Sequence, residues 1–427
     1  MPSRIAGTVT AACAATPAPT PEGALVLPHG SPSLPRPRFR LTVLTAAITL
    51  VTGLFGAATP ASAATTLPVT VKNSTGSSGA VYLYVLGTDL SSGRLGYVDA
   101  KGRFHAWPAA SGTPKAAPDV SIRGPRSGGT GTLRIPKGIS GRLYYSVGSK
   151  LSLKLVRDAL GATSLVQPAP WVTSDPNHAK LFDWTEFTYN GGLWINSTQV
   201  DQFALPTTVT VKGSSGTRTT GRLVSGGRQR VIKAMKASAA TARLVVTGSG
   251  GRVVRVLAPG HATRSGLLSA THLKSAIDAA WKRAASKALK VRPFADQPGY
   301  TGRTVGSRLV FTRAGVRVAS FAKPSSVDVF ECAGELAAPN DLVVGPIART
   351  LCAALNRGTL TSGKTEPVAT PSSYYRTGRY NPYAKAVHAA MADGKAYAFA
   401  FDDVAHQESL VHDAAPTSVT ITLPSLG

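Results

Sequence analysis

Glu186 and Asp201 bracket the stretch EFTYNGGLWINSTQVD, and two carboxylates set across one hairpin are the residue set of general acid and base catalysis. Such a pair needs one acid that keeps its proton near neutral pH and one that stays ionised, so the surroundings count as much as the spacing. Asn190, Gly191 and Gly192 signal a hairpin between the strands LFDWTEFTYN and LWINSTQVDQFALP. A period of two puts Trp184, Glu186, Thr188 and Asn190 on one face of the first strand. A tight turn at Asn190-Gly191 or Gly191-Gly192 sets Glu186 opposite Ile195 or Ser197, on a face shared with Ser197, Gln199 and Asp201. Strict alternation then leaves Trp194 on the other face unless a bulge turns it inward.

Strand rise separates Asp201 from the position opposite Glu186 by roughly 13–20 Å between Cα atoms. Side chains leaning together shorten the lower end to about 7–10 Å, which approaches an inverting glycosidase pair and exceeds the roughly 5 Å of a retaining one. Trp184 beside Glu186 offers the apolar surroundings a general acid needs, and Thr188, Asn190 and Gln199 offer hydrogen bonds to sugar hydroxyls. A two-carboxylate mechanism needs no metal and no cofactor. The same alternation also describes a solvated sheet face, and spacing alone does not choose between the two.

The elements that must position this hairpin are mostly strands. Charged residues are only 16% of the 427, and 43 Gly with 30 Pro favour loops and strands over helices. From Thr65 to about Leu223 short alternating runs (LPVTVKN, AVYLYVLG, GRLYYSVG, TTVTVKG) predict an antiparallel sandwich or barrel. Near Val224 the pattern turns helical in GGRQRVIKAMKASA and SATHLKSAIDAAWKRAASKALK. The second carries Leu273, Ile277, Trp281, Ala284 and Ala288 on one stripe, predicting a helix packed on a sheet, with Ser269 or Thr271 as its cap. ARTLCAALNRG and NPYAKAVHAAMADG read as helices; KAYAFAFDDV and TSVTITLP read as strands. The predicted layout is a β domain over 64–223 and 378–427, interrupted by a mixed α/β domain over 224–377, with a groove between them.

Residues 1–63 read as a leader rather than fold. Arg36, Arg38 and Arg40 precede the apolar run LTVLTAAITLVTGLFGAA, and TPASAA gives a signal-peptidase pattern with cleavage near Ala63 or Ala64, predicting a secreted protein. In an oxidising compartment Cys332 and Cys352, the only cysteines beyond the leader, form one disulfide. The formal charge of +26 falls to about +23 without the leader, a field that favours anionic surfaces such as cell wall. The cations are scattered and form no nucleic-acid module, so nucleic acid is not the expected partner.

WTEFTYNGGLWINSTQVDQFALP resembles the core motif of glycoside hydrolase family 64, the β-1,3-glucanases that include the laminaripentaose-producing enzymes. ARTLCAALNRGTL resembles a second family segment, and AYAFAFDDV with TSVTITLP the closing strands of thaumatin-like proteins. The resemblance spans about Thr65 to Gly427. It implies a thaumatin-like β-barrel or sandwich plus a mixed α/β domain flanking a wide groove, and inverting, endo-type cleavage of β-1,3-glucan by a monomer. Within the motif the general acid falls on Glu186, the general base on Asp201, and substrate contacts on Thr188, Asn190, Trp194 and Thr198. With two mature cysteines the chain lacks the disulfide lattice of plant thaumatins.

Other residues carry weaker signals. Asp402 and Asp403 either line the groove or end a strand. Tyr374, Tyr375, Tyr380 and Tyr383 read as surface packing more than as a stacking rim, and His178 as a turn residue. Asn73 and Asn196 sit in N-x-[ST] sequons. Two alternatives to a hydrolase are a thaumatin-like protein that binds glucan or fungal wall without cutting it, and a basic wall-associated interaction protein.

Overall fold

The structure, a computed structural model, describes residues 66–376 and 378–427. The leader and its cleavage site lie outside the described residues. The fold is mainly β, with several sheets and a set of helices.

Two sheets form the frame. The first has five strands in the order Gly216–Thr220, Thr208–Gly213, Pro416–Leu423, Thr66–Asn73 and Thr130–Pro136. Within it Thr66–Asn73 runs parallel to Pro416–Leu423, while its pairing with Thr130–Pro136 is antiparallel. The second runs Leu410–Asp413, Leu193–Asn196, Leu181–Tyr189, Ile139–Val147, Val81–Asp89, Leu95–Val98 and Phe104–Ala106, with Ile122–Arg123 also paired to Val81–Asp89. Alternation explains how they meet. Leu67, Val69, Val71, Leu133, Val209 and Ile421 from the first share one core with Leu83, Leu143, Phe187, Tyr189 and Ile195 from the second.

The outer face of the second sheet is covered at one end only. There Tyr84, Leu86, Tyr144, Phe182 and Trp184 form a second core beneath Trp107, Leu151, Leu153, Leu155 and Leu165. Further along the same strands that cover stops, and Arg142, Glu186, Thr188 and Trp194 are only half-buried.

Residues 224–377 contribute the helices Gly227–Lys236, Lys274–Ser286 and Val344–Arg357, and Pro382–Ala390 follows them. Pro382 opens its helix behind Asn381, whose side chain accepts from Ala384 N–H, and Gly358 ends the Val344–Arg357 helix at positive φ. Helix Lys274–Ser286 buries Ile277, Ala280, Trp281 and Ala284 against a four-stranded sheet of Leu289–Val291, Tyr300–Val305, Arg308–Arg313 and Val316–Phe321. This is the sheet packing its stripe predicts, although Leu273 stands at the cap position in place of Ser269 or Thr271. Among the described residues no helix is long and apolar enough to cross a membrane. Cys332 and Cys352 are joined in a disulfide with Cα atoms 5.6 Å apart.

KAYAFAFDDV departs from its predicted strand. It forms turns, with only an isolated bridge between Thr198 and Tyr397. The cause is Asp402, which is fully buried between Arg357 and His388 at 2.9 and 2.8 Å and also accepts from Ala398 N–H. A carboxylate that satisfies two cations and a backbone amide curls its own segment around itself and precludes an extended ladder.

Candidate active site

The hairpin register decides which side chains meet. Tyr189 pairs with Leu193, so the connection has three residues, and Asn190 N–H bonds to Gly192 C=O while Gly191 takes φ 76°. A loop of odd length shifts side-chain parity by one relative to the predicted two-residue turn. Glu186 therefore lies opposite Asn196, and Thr188 opposite Trp194, in place of the predicted Ile195 or Ser197. Trp194 is thereby on the Glu186 face without any bulge. Two transverse rows cross the open floor: Leu86, Arg142, Glu186, Asn196 and Leu410 in one, Thr88, Ser140, Thr188, Trp194 and His412 in the next. Thr188 shares a hydrogen bond with Ser140 at 2.8 Å, and Trp194 stacks on His412 with centroids 4.0 Å apart.

Asp201 reaches this floor by a different route from the predicted one. The strand stops at Asn196, and Ser197 and Gln199 are bonded into the 397–409 segment through Ser409 C=O and Tyr397 C=O. Tyr383, fully buried, donates to Gln199 C=O at 2.6 Å. Beyond the turn, Gln202–Phe203 pairs with Val253–Leu257, and the Asp201 C=O accepts from Ala258 N–H. Buried Asp183, on the core side of the hairpin strand, accepts from Ala204 and Leu205 N–H at 3.0 and 2.8 Å. The residues flanking Asp201 are thus anchored on both sides.

Arg142 joins the two carboxyl groups. Its Nε and Nη2 donate to Glu186 Oε1 at 3.2 and 3.0 Å. Since Nη2 also lies 3.9 Å from Asp201 Oδ2, the two carboxyl oxygens are no more than about 7 Å apart, within reach of a two-carboxylate mechanism. Asn196 Nδ2 donates to Glu186 Oε2 at 3.3 Å, while its own Oδ1 is buried without a partner. Trp184 is buried against Tyr144 and lies 4.9 Å beneath the Arg142 guanidinium, so it backs the arginine that holds Glu186.

Asp201 Oδ1 meets His261 Nε2 at 2.7 Å, and the His261 ring lies flat on Trp171, centroids 3.6 Å apart and planes 1° off parallel. Burial opposes the charge on Asp201, but the His261 contact and the nearby Arg142 outweigh it and hold the carboxyl below its ordinary range. Asp201 is therefore an ionised carboxylate at neutral pH.

Of the remaining predicted contacts, Asn190 is exposed at the hairpin tip. Thr198 is buried, with its hydroxyl accepting from Val200 N–H at 3.3 Å. Asp402 is withdrawn into the ion cluster with Arg357 and His388 and does not line the floor; Asp403 is half-buried, its carboxyl pushed up by burial. Tyr374, Tyr375 and Tyr383 are interior residues and form no rim. His178 closes a turn on Asp175 and bonds Pro170 C=O. Both sequon asparagines are buried, Asn73 donating to Pro125 C=O. Sequence reasoning missed Arg142, His261, Trp171 and His412. Only Arg142 had a signal: a cation at mid-strand in GRLYYSVG, in step with Tyr144 on the covered face. Among the described residues no cluster of metal-ligating side chains occurs.

Two carboxyl groups from separate elements, converging on an aromatic-edged open floor, define a site of the glycoside hydrolase type. The profile of glycoside hydrolase family 64, the β-1,3-glucanases, matches residues 65–423. The chain is 44% identical over 388 residues to a glucan endo-1,3-β-glucosidase of Arthrobacter sp. (strain YCWD3), covering 89% of this chain and 69% of that protein. The same identity and coverage hold for the glucan endo-1,3-β-glucosidase of Cellulosimicrobium cellulans. Among solved structures, a laminaripentaose-producing β-1,3-glucanase in complex with laminaritetraose superposes with a TM-score of 0.81 at 45% identity, over 85% of this chain and 100% of that one. A family 64 β-1,3-glucanase domain from Clostridium beijerinckii gives 0.71 at 28% identity, over 86% of this chain and 100% of that one. The chain belongs to glycoside hydrolase family 64, the β-1,3-glucanases.

Proposed function

We propose that the protein is a secreted, monomeric endo-β-1,3-glucanase of thaumatin-like fold that cleaves glucan with inversion and releases short laminari-oligosaccharides. The observation that carries this reading is the meeting of Glu186 and Asp201 at one guanidinium on the uncovered end of the sheet. In this reading 64–223 with 378–427 form the β lobe, and 224–377 supplies the other wall, from which His261 reaches Asp201.

The chemistry follows from the hydrogen bonds. Glu186 acts in its protonated form and gives its proton to the glycosidic oxygen as the bond to the anomeric carbon breaks. Oε1 accepts two N–H groups from Arg142, so the transferable proton belongs on Oε2. A half-turn of the Asn196 amide would present its unpartnered Oδ1 to that proton, so one residue serves both protonation states of the acid. Asp201, already ionised, takes a proton from the water that attacks the opposite face of the sugar. The limit of about 7 Å bounds the separation from above only, so the stereochemistry rests on the anomeric assay that follows. In this reading Trp194 and Thr188, paired on the neighbouring row, stack on and bond to a pyranose ring.

Anomeric NMR during laminarin digestion tests activity and stereochemistry together. The expected first product is the α-anomer, and a β-anomer would refute inversion. Glu186→Gln and Asp201→Asn are each expected to lower turnover by several orders of magnitude while the protein stays folded; activity surviving both would remove the hairpin from the mechanism.

A further inference from the structure

Residues 289–321 hold six cations, Lys290, Arg292, Arg303, Arg308, Arg313 and Arg317, against one carboxylate, Asp296. They build the four-stranded sheet whose inner face, through Val291, Tyr300, Leu309, Phe311, Ala319 and Phe321, joins the core. Alternation sends Lys290, Thr301, Arg303, Arg308, Val310, Thr312 and Ser320 outward, a register shift between Phe311 and Thr312 brings Arg317 into line with Thr312, and Lys290, Arg303, Arg308 and Arg317 are exposed.

The register turns these residues into a lattice. Lys290 lies opposite Thr301, Thr301 opposite Thr312, and Thr312 opposite Arg317, a row with a cation at each end about 14 Å apart at the usual strand spacing. One step along, Arg303 faces Val310 and Val310 faces Ser320, where Arg308 places its guanidinium through Nε to Ser320 Oγ at 2.7 Å and Nη2 to Ser320 C=O at 2.9 Å. Lys290 Nζ is held by Thr301 Oγ1 at 2.9 Å and Arg303 Nη1 by Ser286 C=O at 3.2 Å. Hydroxyls and carbonyls thus fix three of the four cations without neutralising them. Among the described residues none of the four pairs with a carboxylate. Ordinary solvated surfaces mix both signs, as helix Lys274–Ser286 does with Asp278 between Lys274 and Lys323.

We propose that this sheet face docks the enzyme on a phosphodiester-linked polymer of a cell wall. A neutral glucan gives no use for an acid-free plane of cations, so the plane fits a partner other than the substrate. Three of the four are arginines set among Thr301, Thr312 and Ser320, and guanidinium forks with hydroxyl donors between them suit a phosphate, whose oxygens leave one plane, better than a flat carboxylate. The lattice spans two rows, so a repeating polyanion engages several cations at once, and counterion release makes its binding steeply salt-dependent.

The test uses the mature protein on beads carrying poly(glycerol phosphate), with binding measured between 50 and 200 mM salt and soluble laminarin hydrolysis as the control. The variant Lys290→Gln, Arg303→Gln, Arg308→Gln, Arg317→Gln is expected to lose at least about tenfold in affinity at 50 mM salt and about 3 in the log–log salt slope, with laminarin turnover unchanged. The companion Arg303→Lys, Arg308→Lys, Arg317→Lys keeps the charge and is expected to keep the slope, so a folding defect does not pass for a lost contact. Equal slopes for the Gln variant and the parent overturn the proposal. Tighter retention on polygalacturonate or on duplex DNA overturns the assignment to a phosphodiester wall polymer. The laminarin control reports on the glucanase reading separately.

Discussion

Replacing His261 with Asn separates Asp201 from the group that keeps it charged. In the parent, Asp201 Oδ1 holds His261 Nε2 at 2.7 Å, while the Arg142 guanidinium stands at 3.9 Å and is shared with Glu186. Burial alone would push this carboxyl up, and the two neighbours reverse that push. A hydrogen bond to a charged group contributes about 1.5–3 kcal/mol, so His261→Asn removes the larger share of what opposes burial. The sign follows from linkage. A carboxyl held low in the native state stabilises the fold above its unfolded value and loses that contribution as pH falls through the native one. Without His261 the native value rises, so stability at neutral pH drops by about 1.5–3 kcal/mol and the base protonates at a higher pH. The acid limb of kcat/KM on laminarin therefore moves to higher pH. Since 1.4 kcal/mol is tenfold, the variant loses about ten- to hundredfold more activity on the acid limb than at the top of its bell-shaped profile. Reducing-end assays from pH 3 to 8 measure this directly. An acid limb that stays in place while the whole profile drops evenly would show that His261 is only packing, and the assignment of Asp201 as the ionised base would fall with it.

Two further outcomes follow from groups outside the chemistry. Burial lifts the Asp183 carboxyl to about 6, so its contribution to stability is fully present below the ordinary 3.8 and is lost as pH rises through about 6. Asp183→Asn puts an amide nitrogen among N–H donors and is expected to cost about 1–3 kcal/mol, with the parent's advantage shrinking from pH 4 to 6 in chemical denaturation. Cys332→Ser with Cys352→Ser opens a loop of sequence separation 20 and is expected to cost about 3 kcal/mol in thermal unfolding, with laminarin turnover below the transition unchanged.

The frame of the fold was legible because strands announce themselves by alternation: LPVTVKN and TSVTITLP each bury one parity of residues, while GRLYYSVG buries both where the second core covers it. The acid strand was legible for the same reason. Its partner's register was not, because NGG allows a loop of two or three residues, and that single residue decides whether Trp194 joins Glu186 or turns away. The path to Asp201 was illegible for another reason. It is set by bonds to Tyr383, Tyr397 and Ala258, far away in the chain, and no local period encodes those. Arg142 and His261 were not legible because they reach the carboxylates from other elements, with no spacing in the sequence that ties them to Glu186 or Asp201.

The strand Pro416–Leu423 lies between Thr66–Asn73 and Thr208–Gly213, both synthesised long before it. Until it arrives, the first sheet is two separate ribbons, each with a bare edge of unpaired amides facing a gap one strand wide. Closing that gap is a contact of very long sequence separation, and folds that wait for such contacts form slowly. The keystone of the first sheet is synthesised after both of its neighbours, so that sheet cannot close before Pro416–Leu423 arrives.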